Sequence, residues 1–205
     1  MEVIAHRTSG ESATKGQILM NEVPLTARLF EEQCGFVCRR TSLLHGLTVR
    51  QLLYYMAQMC LRTSSSLRRA RVKQVLIDLG LMACAQRRCE QLGESEKRRL
   101  AIGLQLVRDP LLLVLDEPTA GLDALHTFFV LSMLSSHARK HGRLVLLTLD
   151  NPRSDIFPLL DRVTYLCLGD VVYSGSTALM IDYFRTIGFP CPVRLREIRS
   201  QIKFI

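Results

Sequence analysis

The sequence predicts an α/β fold built around a parallel sheet. Two short runs of branched apolar residues, Leu112–Leu115 and residues 144–149, are typical of strands that are buried on both faces of such a sheet. Segments with helical periodicity lie before and between these runs. The first run leads directly into Asp116 and Glu117. Because open α/β sheets bind ligands at the carboxyl ends of their strands, we expect the ligand site at that edge of the sheet.

These two acids fit a nucleotide site. In nucleotide hydrolases an Asp at the end of such a strand holds Mg²⁺, and a Glu that follows it can polarise the attacking water. Two solvated acids at a strand end are the simpler interpretation of Asp116 and Glu117. The continuation at residues 118–123, Pro-Thr-Ala-Gly-Leu-Asp, favours the nucleotide site, because a motif gains specificity from its context.

This continuation resembles the ABC ATPase family, in which the Walker B element is followed by Pro-Thr-Ser-Gly-Leu-Asp. Residues 120–123 stand where that family has its D-loop, with one conservative change. Two further passages, Leu-Thr-Val-Arg at residues 47–50 and Asn-Pro-Arg-Ser-Asp-Ile-Phe at residues 151–157, resemble the G subfamily of half-transporters, the White and sterol-transporter group. The resemblance covers residues 16–192 and implies an ABC-type P-loop NTPase fold with an inserted helical subdomain.

The resemblance also implies roles for individual residues. Glu117 is the expected catalytic residue, Asp116 is the expected Mg²⁺ ligand, and ATP with Mg²⁺ is the expected cofactor. Asp123 of the D-loop is expected to help bind that cofactor, together with Ser95 and Glu96 at the signature position.

The signature passage departs from the family. Residues 92–99 read Leu-Gly-Glu-Ser-Glu-Lys-Arg-Arg, whereas the family has a wording close to Val-Ser-Gly-Gly-Glu-Arg-Arg-Arg. Gly93 replaces the Ser that hydrogen-bonds the γ-phosphate. Glu94 replaces the first of two glycines that let backbone N–H groups approach phosphate at a helix N-terminus. A carboxylate at that place repels phosphate, so we expect a weakened signature.

Other nucleotide contacts of the family are changed or absent. Counting back from residues 47–50 puts Arg39 where relatives have a Gln that contacts Mg²⁺, and Asp150 stands where they have a His that contacts the γ-phosphate. Arg39 cannot ligate a cation, although a guanidinium can bind phosphate. The Gly-Glu-Ser-Ala-Thr-Lys of residues 10–15 does not fit the P-loop pattern Gly-x-x-x-x-Gly-Lys-Ser/Thr. We therefore expect the fold to lack the P-loop strand and helix.

Three parts of the chain are expected. Residues 1–15 form a loose leader, residues 16–192 form a partial ABC nucleotide-binding domain, and residues 193–205 form an unrelated basic tail. Within the domain, the helical subdomain is expected at about residues 48–105.

Periodicity and capping signals predict the local elements. Strands are expected at residues 17–23 and 33–38 around a polar turn with Pro24, and a hairpin is expected at residues 162–168 and 171–174 with its turn at Gly169 and Asp170. The first predicted helix runs from Thr48 to about residue 61, and the second follows the break at residues 64–66 and stops at Gly80. Further helices are predicted over residues 100–107, from Asp123 to about residue 140 with a stop at Gly142, and from residue 175 to near Gly188.

The chain is basic, with 27 Lys and Arg against 19 Asp and Glu and a formal net charge of +8. Such a balance makes nucleic acid or an acidic membrane a partner to consider. The basic residues are dispersed along the predicted helices, as on solvated faces, and no nucleic-acid partner is expected. No apolar run reaches the ~18 residues of a membrane span.

The seven cysteines are an odd number without a paired Cys-x-x-Cys framework, and they predict reduced, mostly buried thiols. A metal site is the alternative. Cys34 with Cys38, or His137 with His141, would offer ligands four residues apart on a helix. No second ligand pair at structural-zinc spacing accompanies either pair.

Two functions of different classes follow from the resemblance. The first is an ATP-binding subunit or fragment of a G-subfamily transporter, whose family role is ATP-driven export of lipid or sterol. Its implied partners are a second ABC half-transporter or nucleotide-binding domain and the transmembrane domain of the transporter, and its implied place is the cytoplasmic face of a membrane. The second is a catalytically dead pseudo-ATPase that serves in dimerisation or regulation.

A soluble, nucleic-acid-associated ABC protein is a third class, which residues 47–50 and 151–155 disfavour. The family hydrolyses ATP. Because so many phosphate contacts are changed, we expect this chain alone to hydrolyse ATP weakly or not at all.

Overall fold

The structure contains a three-stranded parallel sheet flanked by helices, in agreement with the predicted α/β class. The computed structural model describes residues 1–7, 16–40 and 42–190. In chain order the strands and helices are β1 (Leu19–Met20), β2 (Val23–Pro24), α1 (Ala27–Gln33), β3 (Cys34–Val37), α2 (Val49–Cys60), α3 (Ser65–Asp78), α4 (Glu94–Leu106), β4 (Leu112–Leu115), α5 (Ala124–His141), β5 (Leu144–Leu147), β6 (Arg162–Cys167), β7 (Asp170–Ser176) and α6 (Met180–Thr186).

The chain divides into two compact units, Met1–Asp150 and Asn151–Ile205. This division falls inside the partial domain that the sequence predicts at residues 16–192. Residues 8–15, which include the rejected P-loop passage, and the predicted tail at residues 193–205 lie outside the described residues.

Strand β4 is the middle strand of the sheet. Its register pairs Leu115 with Val37 of β3 on one side and with Leu147 of β5 on the other, and both pairings are parallel. All four residues of β4 are buried, as predicted for a strand that is covered on both faces. Strand β5 differs from that prediction, because it lies at the edge of the sheet and leaves Leu144 and Leu146 exposed.

Residues 1–7 pack against one face of the sheet. A ring nitrogen of His6 lies 2.7 Å from the carbonyl oxygen of Leu25. The sequence predicts a loose leader at residues 1–15. Its first seven residues are instead packed, because their apolar side chains contact the buried cluster on this face. The buried apolar cluster there consists of Ala5, Leu25, Phe30, Cys34, Phe36, Leu112 and Val114.

Helix α1 stands where the sequence predicts a polar turn around Pro24. Thr26 caps the helix, since its hydroxyl accepts a hydrogen bond from the backbone N–H of Leu29. Phe30 is the buried residue of α1 and belongs to the apolar cluster. The strand predicted at residues 17–23 is reduced to the short antiparallel pair of β1 and β2.

Helix α4 crosses the opposite face of the sheet. It approaches Gly35 so closely that a Cβ at that residue would lie 3.2 Å from the Cβ of Gln105. A second close approach involves Gly103, where an added Cβ would lie 2.6 Å from Cδ1 of Leu79. Because α4 also contacts α2, α3 and α5, it is the helix around which the first unit packs.

The predicted helix ends are confirmed at the residues where the sequence shows a capping residue or a glycine stop. Thr48 caps α2 in a capping box. Helix α3 ends shortly before Gly80 and α5 ends just before Gly142, and both glycines have left-handed φ values, +61° and +60°. Helix α4 begins at Glu94, earlier than the predicted residue 100. Within the described ranges, none of the helices combines the length and apolarity needed to cross a bilayer.

The second unit contains the predicted β-hairpin and a short helix. Strands β6 and β7 pair antiparallel. Their turn is formed by Leu168 and Gly169, at φ +51° and +92°, rather than by Gly169 and Asp170. Strand β7 continues to Ser176, so helix α6 begins at Met180 instead of residue 175.

The six cysteines of the described residues are reduced thiols, and Cys191 lies outside those residues. Cys34, Cys84 and Cys89 are buried, and burial raises the pKa of each of these thiols. Cys34 belongs to strand β3. The idea that Cys34 and Cys38 share a helix face is therefore wrong, because four residues along a strand span ~13 Å.

Candidate nucleotide site

The carboxyl ends of the three parallel strands meet at one edge of the sheet, as their register requires. Ligands of open α/β sheets bind at this edge. Arg39 lies just beyond β3, Asp116 and Glu117 lie just beyond β4, and Asp150 lies just beyond β5. The structure therefore brings these predicted site residues to the same edge.

Thr148 holds the two acids in place. Its hydroxyl donates a 2.9 Å hydrogen bond to Oδ1 of Asp116 and accepts a 2.9 Å hydrogen bond from the backbone N–H of Glu117. The backbone N–H of Thr148 also bonds to the carbonyl oxygen of Leu115, at 3.1 Å. Because Thr148 uses Oδ1, the Asp116 carboxylate keeps Oδ2 for a cation, and carboxylate oxygen is the ligand that Mg²⁺ prefers.

Glu117 has a left-handed backbone conformation, with φ +46°, which is unfavourable for a residue other than glycine. Two hydrogen bonds fix it, one from its N–H to Thr148 and one of 3.1 Å from the N–H of Ala120 to its carbonyl oxygen. Its side chain is partly exposed. These bonds involve the backbone of Glu117, and the catalytic role of its carboxylate stays a prediction.

Asp123 caps helix α5. Its Oδ1 accepts a 2.8 Å hydrogen bond from the backbone N–H of His126, and its two carboxylate oxygens lie 2.9 and 2.8 Å from Nδ1 of the same ring. The backbone bond and then the ring bond hold the pKa of Asp123 below its ordinary value. The structure thus gives Asp123 a capping role, and its part in cofactor binding stays a prediction.

The N-terminus of α4, which is the predicted signature position, already carries two carboxylates. Glu96 accepts a 2.9 Å hydrogen bond from the backbone N–H of Gly93 and pairs with Arg87 at 3.1 Å. Glu94 pairs with Lys97 at 2.8 Å, and the hydrogen bond and charge of Lys97 lower the pKa of Glu94. A helix N-terminus attracts anions. Here Glu96 engages the backbone N–H of Gly93, and Glu94 adds a second carboxylate where the family has a glycine.

Ser95 lies inside the first turn of α4. It is 7% exposed, and its Oγ has no hydrogen-bond partner among the residues that the structure describes. Its carbonyl oxygen accepts a 3.3 Å hydrogen bond from Nε of Arg99. The predicted cofactor contacts of Ser95 and Glu96 stay predictions, and in this structure Ser95 is buried while Glu96 is engaged by protein groups.

Arg39 and Asp150, at the two changed sensor positions, are exposed. The backbone at Arg39 is tied to α4, because the guanidinium of Arg98 donates hydrogen bonds to the carbonyl oxygens of Cys38, at 3.3 Å, and Arg39, at 2.7 Å. Burial lowers the pKa of Arg98 from its ordinary value. The loop after β3 is thereby connected to the helix that carries the signature position.

The sequence motifs do not single out Thr148. A polar residue that directly follows an apolar strand was the available signal. Its meaning depends on the register of β4 and β5, which places Thr148 beside Asp116. No spacing along the chain encodes that register.

A family model described as ABC transporter matches residues 1–120. The chain therefore belongs to the ABC transporter family, and it carries the ATP-binding domain of that family. The subunit cbiO1 from Clostridium perfringens, part of the ABC transporter complex cbiONQ, has a similar fold, with a TM-score of 0.73 and 23% identity over 92% of this chain and 78% of that chain.

Curated relatives confirm the resemblance to subfamily G. The chain is 41% identical over 199 residues to ATP-binding cassette sub-family G member 8 of Homo sapiens, covering 94% of this chain and 29% of the relative. It is 31% identical over 198 residues to the human sub-family G member 5, covering 94% of this chain and 30% of the relative. The chain thus spans less than a third of the length of these two relatives.

Proposed function

We propose that this chain is the nucleotide-binding part of a G-subfamily ABC transporter and works beside a second, catalytically complete half. The observation that carries the proposal is the hydrogen bonding of Thr148, which fixes Asp116 and Glu117 at the carboxyl edge of the sheet. The Asp116 carboxylate and the Glu117 backbone are thereby fixed, and carboxylates at this place suit Mg²⁺ and the attacking water of ATP hydrolysis. The family role that follows is ATP-driven export of lipid or sterol from the cytoplasmic face of a membrane.

The residues present fit Mg²⁺ better than they fit the phosphates of ATP. Asp116 keeps an oxygen for the cation, but the sequence offers no P-loop pattern, and Glu94 stands at the α4 N-terminus where the family has a glycine. ATP supplies the phosphoryl group to be transferred, and catalysis of that transfer rests on positioning and charge stabilisation. We therefore expect weak nucleotide binding by the chain alone and stronger binding when a partner supplies phosphate contacts.

The helical subdomain offers a surface for the other implied partner, a transmembrane domain. A groove of about 610 Å³ lies between α2 and α3. Its lining includes the aromatic rings of Tyr54 and Tyr55 and the guanidinium groups of Arg50 and Arg69. Aromatic residues and Arg are enriched at protein interfaces, so this groove is the part of the subdomain that we assign to docking.

Binding of a fluorescent ATP analogue in the presence of Mg²⁺ tests the proposal. The purified chain is measured alone and then mixed with a complete nucleotide-binding domain of subfamily G. We expect weaker than micromolar binding by the chain alone and, in the mixture, binding beyond the partner's own.

The controls are two variants of this chain. Asp116→Asn should remove the additional binding in the mixture, because it weakens the cation ligand. Glu32→Gln, in an exposed pair on α1, should retain it. Equal binding by the mixture and by the partner alone would contradict the proposal.

A non-enzymatic module is the second candidate. The observation that favours it is Glu94 at the start of α4, because the family has a glycine there and a carboxylate repels phosphate. A dimerisation module of this kind associates with its partner equally well with and without Mg-ATP. Sedimentation of the mixture under both conditions separates the two candidates, since a nucleotide-binding subunit associates more strongly when Mg-ATP is present.

A further inference from the structure

Three potential metal ligands meet where helices α3 and α5 end. Asp78 is the last residue of α3, His141 is the last residue of α5, and His137 lies one turn earlier in α5. One ligand atom from each of the three side chains lies within 4.8 Å of the others. His137 is 6% exposed, and the other two residues are partly buried. The pair of histidines that the sequence offers as possible ligands is thus joined by a carboxylate from another helix.

Two nitrogens of this cluster lack hydrogen-bond partners. Nδ1 of His137 and Nε2 of His141 are buried, and neither makes a hydrogen bond with any residue in the described part of the chain. Oδ2 of Asp78 lies 3.7 Å from Nε2 of His141, which is too far for a hydrogen bond. Buried polar atoms are normally satisfied, so unpaired ones call for an explanation such as a bound ion.

The remaining oxygen of Asp78 is held by groups outside the cluster. Its Oδ1 accepts a 2.8 Å hydrogen bond from Nε2 of Gln74 and a 3.1 Å hydrogen bond from Nζ of Lys140. Ligating carboxylates in metal sites are commonly oriented by such outer hydrogen bonds. The arrangement leaves Oδ2 directed towards His141.

The electrostatic surroundings both favour and oppose a cation. Two helix C-termini converge here, and the partial negative charge of a helix C-terminus favours a cation. The ammonium of Lys140 opposes a second cation. Further away, Arg71 at 3.2 Å and Arg143 at 2.6 Å share the carboxylate of Asp109, so one of these two guanidinium charges is offset and one is not.

We propose that Asp78, His137 and His141 bind a divalent transition-metal ion of the zinc type, which clips α3 to α5. Imidazole and carboxylate donors suit Zn²⁺, Ni²⁺ and Cu²⁺, whereas Mg²⁺ prefers oxygen ligands. Zinc bonds of about 2.0–2.2 Å place ligand atoms roughly 3.3 Å apart, so rotation of the Asp78 and His141 side chains closes the site. Three protein ligands leave a fourth position for water.

This site shares no residue with the nucleotide edge at Asp116, Glu117 and Thr148. Its test is therefore independent of the proposed function. Binding of Zn²⁺ without nucleotide, or of nucleotide without Zn²⁺, bears on one inference and not on the other.

Titration of the metal-free full chain with Zn²⁺ and with Co²⁺ tests the site. The background variant carries Cys60→Ser and Cys167→Ser, because these exposed thiols would bind the same metals. We expect one ion per chain, visible cobalt d–d bands without near-ultraviolet sulfur-to-cobalt charge transfer, and no competition from excess Mg²⁺.

Three substitutions locate the ion. Asp78→Asn and His141→Gln should each lower the Zn²⁺ affinity at least about tenfold. Lys140→Gln should raise it, because it removes the ammonium that opposes a cation while Gln74 still donates to Oδ1 of Asp78 and orients the carboxylate. His126→Gln, at the other end of α5 beside Asp123, is the matched control and should leave the affinity unchanged.

The proposal would be overturned if the background protein did not bind Zn²⁺, or if the background and His141→Gln proteins bound Zn²⁺ with equal affinity. Sulfur-to-cobalt charge transfer as the dominant signal would also overturn it. Circular dichroism shows whether Asp78→Asn and His141→Gln fold. If neither variant folds, the Zn²⁺ affinity of Lys140→Gln is the test of the site. A Zn²⁺ affinity that does not rise in Lys140→Gln then counts against the site.

Discussion

The hydroxyl of Thr148 donates a 2.9 Å hydrogen bond to Oδ1 of Asp116. This bond joins the neighbouring strands β4 and β5 just beyond their last paired residues. The same hydroxyl accepts the backbone N–H of Glu117. The ligand edge of the sheet is therefore fixed by a side chain from the strand next to the one that carries the acids.

Thr148→Val should destabilise the first unit and loosen the Asp116 carboxylate. Valine has the same shape but no hydroxyl, so the N–H of Glu117 loses its acceptor, and the expected loss is about 1–2 kcal/mol in the free energy of unfolding. Urea denaturation measures the change. Thr148→Ser keeps the hydroxyl and should lose less than half as much, whereas equal losses in the two variants would assign the effect to packing.

Ser95→Ala should stabilise the protein. The substitution removes a buried Oγ without a partner in the described residues and introduces a better helix former, and the expected gain is roughly 0.5–1 kcal/mol in the free energy of unfolding. Ser64→Ala is the control, because the Oγ of Ser64 accepts the N–H of Leu67 at the start of α3, and its loss should cost about 1 kcal/mol.

The same Ser95→Ala protein tests a nucleotide contact. The Ser95→Ala protein is mixed with a complete partner domain, and its binding of the ATP analogue is compared with that of the unmodified mixture. If the hydroxyl of Ser95 does not contact nucleotide, the two mixtures bind the analogue equally. A clear loss of binding would show that α4 opens when nucleotide binds and that Ser95 belongs to the site.

Glu117→Gln should leave the ATPase rate of the isolated chain at the background of the unmodified protein. A polarising carboxylate accelerates hydrolysis only when the phosphates are positioned and their charge is compensated. Phosphate release is measured for both proteins, with a complete nucleotide-binding domain as the positive control. Turnover by the unmodified chain that disappears in Glu117→Gln would contradict the expectation of weak or absent hydrolysis.

Gly103→Ala should destabilise the packing of α4. The added Cβ would lie 2.6 Å from Cδ1 of Leu79, and overpacking of this kind costs about 1–3 kcal/mol in the free energy of unfolding. A double-mutant cycle with Leu79→Ala supplies the control. In the Leu79→Ala background the cost of the alanine at 103 should fall, because the clashing methyl group is gone, and an unchanged cost would place the strain elsewhere.

The Asp109 ion pairs predict a pH-dependent stability. Burial is the largest influence and raises the pKa of Asp109, but the hydrogen bond from Arg143 and the charges of Arg71 and Arg143 outweigh it and lower the pKa below the ordinary 3.8. A carboxyl with a lowered folded pKa stabilises the protein above its unfolded pKa, and this contribution is lost as the pH falls through the folded pKa.

Asp109→Asn measures that contribution. Because the Asp109 side chain is 40% exposed and screened by solvent, we expect a loss of only about 0.5–1 kcal/mol at pH 6. The difference from the unmodified protein should vanish well below pH 3.8. Glu32→Gln, in the exposed pair on α1, should show little difference at either pH. A loss at Asp109 that does not depend on pH would contradict the ion-pair account.

The sequence predicts those elements whose cause is local. The apolar run of β4, the cap at Thr48 and the stops at Gly80 and Gly142 each depend on a few neighbouring residues, and all are confirmed. Helix α1 escapes prediction because a helix of 7 residues with Phe30 as its buried side chain shows no period. Thr26 was its local signal, since its side chain caps the helix.

The site is less predictable because its contacts join distant segments. The motifs identify Asp116 and Glu117, but Thr148 becomes relevant only through the pairing of β4 with β5. In the same way, the spacing of His137 and His141 indicates a helix face, whereas Asp78 joins them only because α3 ends beside α5. Nor does the signature wording show that the Glu96 carboxylate turns back onto the Gly93 N–H.

The catalytic role proposed for Glu117 opposes stability, because the backbone of this residue has φ +46°. A residue with a Cβ pays about 1–2 kcal/mol for this conformation, whereas glycine adopts it freely. Glycine, however, offers no carboxylate to water. In a lineage with no use for nucleotide chemistry, the exchange to glycine would be favoured on thermodynamic grounds alone. At position 117, a glutamate therefore indicates selection for the reaction, whereas a glycine indicates selection for the fold alone.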